Sequence, residues 1–193
     1  MTHDMSFHDS EHKFEKSFWG NCANTYGEET KQMVYADLMG LKFSNYWIDV
    51  SGKKILDIGG GPTSLLLKSW NFADAMVVDP IMYPDWIYGR YVAHGVDSVH
   101  MNGEDVSMTG FDEVWIYNVM QHCVDPKKII ANAKRAAPVL RIFEWIDFPP
   151  HPGHPQMLTE DALNKWTGKQ GRIVHLNENG CYGRSYSGYF SWV

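Results

Sequence analysis

Hydrophobic positions along the chain change their period. From Glu11 to Gly20 and from Glu28 to Leu38 they recur at helical spacing, and in the second stretch Met33, Val34, Asp37 and Leu38 form one mainly apolar stripe. Two short helices are predicted there. Gly40 ends the second, and Ser51-Gly52 turns the chain into KKILDI, a short apolar run that reads as a buried strand. A rhythm of buried strand, glycine or acidic turn, and helix then repeats. Strands are predicted at 55–58, 74–78, 97–101, 112–117 and 139–146, and helices at 63–70, 84–94 and 126–136, the last opened by Pro126 in its first turn. The link from Met101 to Phe111 is too short for a full helix and reads as a loop. After Gly168, RIVHLN and SYSGYFSWV, joined by the glycine-rich ENGCYGR, read as a closing antiparallel strand pair. Alternating strands and helices demand a mostly parallel sheet covered on both faces, so the expected fold class is α/β, doubly wound, in three α/β/α layers.

Composition narrows this further. The 193 residues suffice for one ordinary core, and the expected organisation is a single domain 1–193, with a helical lid or cap over 1–50 and the α/β core over 53–193. No apolar run approaches the roughly 18 residues needed to cross a bilayer, and the polar start lacks an apolar signal core. Its His3, His8 and His12 read as part of a frayed tail rather than as a metal site. A net charge of −6 gives no general drive toward a polyphosphate backbone, which disfavours nucleic acid as partner. Cys22, Cys123 and Cys181 are odd in number and lack CxxC spacing, which fits free thiols in the cytoplasm.

The sharpest local signal is Leu56-Asp57-Ile58-Gly59-Gly60-Gly61-Pro62, a buried strand that runs into three glycines and a helix start. Such a turn lets main-chain amides approach a ligand, and the helix start favours negative charge. A branched side chain at Gly60 is expected to block that approach with little harm to folding. The next strand ends in Val78-Asp79-Pro80, so a carboxylate able to grip ribose hydroxyls stands at the same sheet edge. Gly59, Gly61 and Ser64 complete only two of the three glycines of a dinucleotide fingerprint, which weakens a nicotinamide reading.

These residues resemble the class I S-adenosylmethionine-dependent methyltransferases, whose first motif is an acidic-apolar strand ending in a DxGxG-like loop, here Asp57-Ile58-Gly59-Gly60-Gly61. The match covers about Lys53 to Asp147. The resemblance implies a Rossmann-like fold, S-adenosylmethionine as cofactor and S-adenosylhomocysteine as product. It implies that Asp79, with Pro80 beside it, meets the ribose, and that Glu104 and Asp105 flank the adenine. The segment FDEVWIYNVMQHCVDP is similar to the family's loop after the fourth strand and brings Asn118 to the cofactor. Segments before the first strand commonly cover the cofactor in this family, so Trp19 and Tyr26 are candidate lid aromatics, their alternative being ordinary packing.

Methyl transfer needs alignment, exclusion of water and sometimes a base. The candidates near the carboxyl ends of the fourth and fifth strands are His122, His151 and His154, with Glu144 or Asp147 to orient the base or the substrate. Prolines stiffen the loop that carries His151 and His154; a third ligand for metal is missing, and none is expected. The DNA amino-methylation tetrapeptide and the Pro-Cys nucleophile are absent after the fourth strand, where Asn118-Val119-Met120-Gln121 stands. The expected acceptor is a small molecule, a glycan-type sugar or a similar exposed group. A non-catalytic cofactor-binding protein and a nucleotide-dependent oxidoreductase remain as alternatives on the same kind of sheet.

Overall fold

The structure, a computed structural model, describes residues 12–13, 15–19, 21–151 and 153–193. His3, His8, Gly20 and Pro152 lie outside the described residues. Residues 15–19 are helical, and helix α1 (Cys22–Leu38) follows at once. Asn21 caps the helix by accepting the Ala23 N–H at 2.9 Å, which starts it earlier than Glu28, where the apolar periodicity begins.

The main sheet contains β3 (Lys54–Ile58), β5 (Asp74–Asp79), β6 (Asp97–His100), β7 (Glu113–Tyr117), β8 (Val139–Trp145), β9 (Arg172–Glu178) and β10 (Cys181–Ser191). Their order is β6-β5-β3-β7-β8-β10-β9. The strands from β6 to β8 are parallel, and β10 inserts between β8 and β9, antiparallel to both. Helices α2 (Asp85–His94), α3 (Pro126–Ala136) and α4 (Glu160–Thr167) complete the layers. This is the Rossmann-like, doubly wound arrangement with an antiparallel closure that the sequence pattern predicts.

The period-2 alternation of the strands builds two cores. Leu56, Ile58, Val114, Ile116, Leu140 and Ile142 face α3 and α4, whereas Ile55, Val77, Trp115 and Phe143 face α1 and α2. All five residues of β7 are buried, as a central strand covered on both faces requires. Caps fix the helices above them: Asp125 accepts the Lys128 N–H with Pro126 at the first position of α3, and Thr159 caps α4, which Gly168 ends at φ +71°.

Two regions differ from the sequence expectation. The helix predicted at 63–70 is instead a pair of 3-10 turns, Gly61–Thr63 and Leu65–Lys68, followed by β4 (Ser69–Trp70). Ser64, at ψ 138°, breaks the helical path, and side chains take over the backbone partners: Ser64 Oγ accepts the Leu66 N–H, and the Tyr117 hydroxyl accepts that of Leu65. The second region is a small sheet, β1 (Phe43–Ser44), β2 (Trp47–Asp49) and β4, whose strands are too short to leave a pattern. The buried face of α1 is also not the expected stripe. Gln32, Tyr35, Ala36 and Met39 face inward, while Asp37 is exposed.

Glu113 ties the far end of the sheet together. Its carboxylate accepts from Lys53 Nζ at 2.7 Å, Arg141 Nε at 2.6 Å and Trp115 Nε1 at 3.0 Å. Burial alone would raise its pKa, but these donors override it and hold the group at about 2 against an ordinary 4.5. The stability from this pairing is present above pH 4.5 and is lost as pH falls toward 2. Denaturant titrations should therefore show Glu113→Gln to be less stable than the unaltered protein at neutral pH, with the gap closing through that acid window. A gap that does not change with pH would contradict this role.

Candidate functional site

The chain reverses direction across the sheet between β3 and β7, and crevices at the carboxyl ends of strands open at such a point. Here the three glycines turn out of β3. Gly59, at φ +77°, donates to the Val78 carbonyl at 2.7 Å, and a Cβ placed on it would meet the Val119 methyls at 2.5 Å. Gly61, at φ +55°, donates to Asp79 Oδ2 at 3.1 Å, and a Cβ placed on it would lie 3.6 Å from the Tyr83 hydroxyl and 3.9 Å from Asp79 Oδ2, in ordinary contact with both. Gly60 differs. A Cβ there would lie 2.6 Å from Asp57 Oδ2 and 3.1 Å from Ser64 Cβ, so substitution presses into the protein beneath the turn and harms folding, contrary to the sequence expectation.

Asp57 lies fully buried under that turn. Its Oδ2 accepts from Ser64 Oγ and from the Tyr117 hydroxyl, each at 2.5 Å, while Oδ1 has no hydrogen-bond partner among the described residues. Burial pushes the carboxyl up to about 7, with the two hydroxyl bonds pulling the other way. Asp57 does not line the cleft; it holds the loop that does.

Asp79 faces the cleft. Its Oδ1 accepts from the Ile81 N–H at 2.9 Å and the Tyr83 hydroxyl at 3.1 Å, and burial raises it to about 6 against those bonds. Pro80 and Glu104 also line the cleft, together with an apolar slot of Ile58, Val119 and Ile129. Glu104 Oε1 accepts the Val124 and Asp125 N–H groups at 3.0 and 3.1 Å. Asp105 points away, 3.7 Å from Lys128 Nζ on the surface. Asn118 borders the cleft at φ +56°, an uncommon conformation for a side-chain-bearing residue, with Oδ1 accepting from Gln121 Nε2 at 2.9 Å.

From the amino-terminal side come His12, Glu15 and Trp19, whose indole N–H donates to Glu15 Oε2 at 2.7 Å. Tyr26 is outside the cleft, 61% exposed, with the Arg90 guanidinium 5.9 Å from its ring. Helix α1 supplies Glu28, Gln32 and Tyr35, none of which the sequence reading singled out. Gln32 donates to Thr63 Oγ1 at 2.5 Å, yet its Oε1 is buried with no partner among the described residues. Gln32 and Tyr35 share an i, i+3 face with Ala36 and Met39, and a polar residue on that inward face is the signal that was available.

A second cavity, of about 360 Å³, shares Glu15, Trp19, Glu28, Tyr35, Asn118 and His122 with the first. His122 Nδ1 lies 3.8 Å from Glu15 Oε1, and its ring meets that of His154 edge to face at 4.6 Å. Burial, then the neighbouring His122 and His151, lower His154 to about 4, so it is neutral near pH 7. His151 lines neither cavity; its Nδ1 accepts the Gly153 N–H, and its backbone is bridged to His154. Asp147 is held outside by the Arg184 guanidinium. Glu144 is buried behind the loop: its Oε1 accepts the Val119 and Met120 N–H groups, both at 3.1 Å, and burial raises it to about 7. The geometry thus brings His122 and His154 together at the junction and leaves His151, Asp147 and Glu144 away from it. Among the described residues, no three His, Cys, Asp or Glu side chains are grouped to hold a metal ion, and no helix is long and apolar enough to cross a membrane.

Comparison with solved structures gives the fold of the class I methyltransferases. A methyltransferase from Thermotoga maritima, described as S-adenosylmethionine-dependent and a possible histamine N-methyltransferase, aligns with a TM-score of 0.59 at 10% identity, covering 92% of this chain and 94% of that one. Magnesium protoporphyrin IX methyltransferase from Synechocystis, solved with bound S-adenosylhomocysteine, aligns at 0.59 and 15% identity, covering 86% of each chain. The (4+2) cyclase SpnF aligns at 0.56 and 18% identity over 76% of this chain, which spans only 57% of the cyclase. Neither a scan against protein-family models nor a search of curated proteins found a match.

Asp57 has a testable consequence. Because its folded pKa is raised from 3.8 to about 7, the folded state holds a proton that the unfolded state releases, and this group's contribution lowers stability as pH rises through that window. Asp57→Asn removes the titration. The stability of the variant relative to the unaltered protein, measured by denaturant titration, should move in the variant's favour between pH 3.8 and 7, whatever its starting value. A constant difference across that range would contradict the buried-acid account.

Proposed function

We propose that this chain is an S-adenosylmethionine-dependent methyltransferase acting on a small acceptor. The observation that carries the reading is the glycine turn that lines the cleft beside Asp79 at the point where the sheet reverses direction. The residues present fit the cofactor. Asp79 would accept from ribose hydroxyls, and the slot formed by Ile58, Val119 and Ile129 suits a flat base, with Glu104 near its rim. Pro80 and Asn118 would close the sides of this cradle, and Trp19 would cover it from the amino-terminal segment, the proposed lid. Asp105 and Tyr26 take no direct part in this reading, and Asp57 acts by holding the turn.

The methionyl end is assigned to Gln32. Its Oε1, nine-tenths buried and without a partner among the described residues, suits an ammonium group, and Thr63 orients the amide from the other side. When bound, the cofactor supplies a methyl group made electrophilic by its sulfonium. His122 is the proposed proton acceptor for a hydroxyl, since it lies where the two cavities join, with its Nδ1 3.8 Å from Glu15 Oε1. Glu144 positions the loop that carries it, and no role in proton transfer is assigned to His151 or Asp147.

Calorimetry tests the cofactor reading. Asp79→Ala should weaken S-adenosylhomocysteine by about 1–3 kcal/mol, the scale of hydrogen bonds to a charged acceptor. Gln32→Met should weaken S-adenosylhomocysteine yet leave 5′-methylthioadenosine, which lacks the amino-acid end, unchanged. Equal losses for both ligands, or none, would remove Gln32 from the methionyl end, and unchanged affinity in Asp79→Ala would remove Asp79 from the ribose. Once an acceptor is known, His122→Ala should bind S-adenosylhomocysteine normally and lose about 10²-fold or more in turnover, with partial recovery at higher pH. Retention of a tenth or more of the turnover would exclude the base.

A further inference from the structure

We infer that the second cavity is an acceptor site built for an uncharged, planar aromatic molecule that carries a hydroxyl group; this rests on the methyl-transfer reading above. Three observations support it.

The first is the shape and chemistry of the walls. Tyr35, Trp145 and Phe148 form a continuous series in which Trp145 meets each of the other two edge to face, with ring centres 6.2 Å apart and planes at 83°. Trp19 and Tyr182 complete the enclosure. Fixed rings of alternating orientation offer both faces and edges to a flat guest, and the volume of about 360 Å³ suits one of small-ligand size. Phe148 and Tyr182 are 39% and 67% exposed at the mouth, leaving aromatic surface to be covered by a ligand.

The second is charge. The formally charged side chains in this wall, among the described residues, are Glu15, Glu28 and Lys31. Lys31 pairs with Glu28 at 2.7 Å, and Glu15 accepts from the Trp19 indole while facing His122. Each is committed to a neighbour inside the protein. A phosphorylated or carboxylated acceptor would have to break the Glu28–Lys31 pair or enter without compensation, and either is costly in a partly desolvated site.

The third is the placement of polarity. Asn118, Gln121, His122 and His154 gather on one side, and Asn118 and His122 also border the cofactor cleft. One corner of uncharged hydrogen-bonding groups beside the cofactor cleft, with aromatic rings and internally paired charges elsewhere, suits a guest with its hydroxyl at one end. In the transfer itself, the acceptor's oxygen–methyl bond forms as the donor's carbon–sulfur bond breaks. That bond's electron pair stays on sulfur, and the hydroxyl proton passes to the His122 imidazole.

The test is calorimetry on the full chain saturated with S-adenosylhomocysteine. The probes are 7-hydroxycoumarin under conditions that keep it protonated, the phosphate ester of the same ring system, and methyl glucoside. The expected result is binding of the phenol in preference to both others, weakened about tenfold by Trp145→Ala, the scale of removing a buried aromatic anchor. Phe148→Ala, at the exposed mouth, should weaken the phenol as well, and both variants should hold S-adenosylhomocysteine as the unaltered protein does. Protein that binds S-adenosylhomocysteine but not the phenol, or that binds the phosphate ester or glucoside as tightly, overturns the inference alone. Failure of the unaltered protein to bind S-adenosylhomocysteine overturns the methyl-transfer reading and this inference with it.

Discussion

The buried carboxylate of Asp57 is the constraint on which the cleft depends. Through one oxygen it gathers Ser64 from the turn after β3 and Tyr117 from the end of β7, the two strands between which the chain reverses direction. Tyr117 then accepts the Leu65 N–H, and Ser64 accepts that of Leu66, so the segment that leaves the glycines is held by side chains instead of by a regular helix. The glycines above it are shaped by the same acid. Gly60 must lack a side chain because the carboxylate lies directly beneath, while Gly61, at φ +55°, sits beside Tyr83 and Asp79 at the cleft.

Acids at the two ends of the sheet have opposite character for a plain electrostatic reason. Glu113, at the start of β7, is surrounded by Lys53, Arg141 and the Trp115 indole, and stays ionised far into acid. Asp57, Asp79 and Glu144, near the carboxyl ends of their strands, are met by hydroxyls and backbone N–H groups, with no basic side chain hydrogen-bonded to them among the described residues, and burial raises all three. One end of the sheet thus contributes stability. The other holds acids whose neutral form burial favours, a pattern associated with functional sites.

Much of this was legible in the sequence because strands buried on both faces leave continuous apolar runs, and because glycine clusters and a following aspartate mark a strand's carboxyl end. The strands at β3, β5, β7 and β8, and α3 with its Pro126 start, fall where the pattern puts them. The helix expected after the glycines is absent because Ser64 breaks the helical path at ψ 138° and tyrosines from distant elements, Tyr117 of β7 and Tyr91 of α2, accept from the freed backbone, which no local pattern reveals. Side-chain direction was the other gap. His151 and His154 are three residues apart on one loop, yet a tight backbone bridge turns His154 toward His122 and leaves His151 outside both cavities. Gln32 was hidden by the apolar stripe read one position away on the same helix.

The central claim is that the glycine turn and Asp79 form a binding site for the methyl donor. Its most direct test is to map S-adenosylhomocysteine onto nitrogen-labelled protein by amide chemical shifts. Saturable changes should concentrate at Gly59, Gly60, Gly61 and Ile81, the amides of the turn and of the Asp79 loop, and an equal concentration of NAD should not reproduce them. Absence of change at those amides, or the same pattern with NAD, would contradict the account.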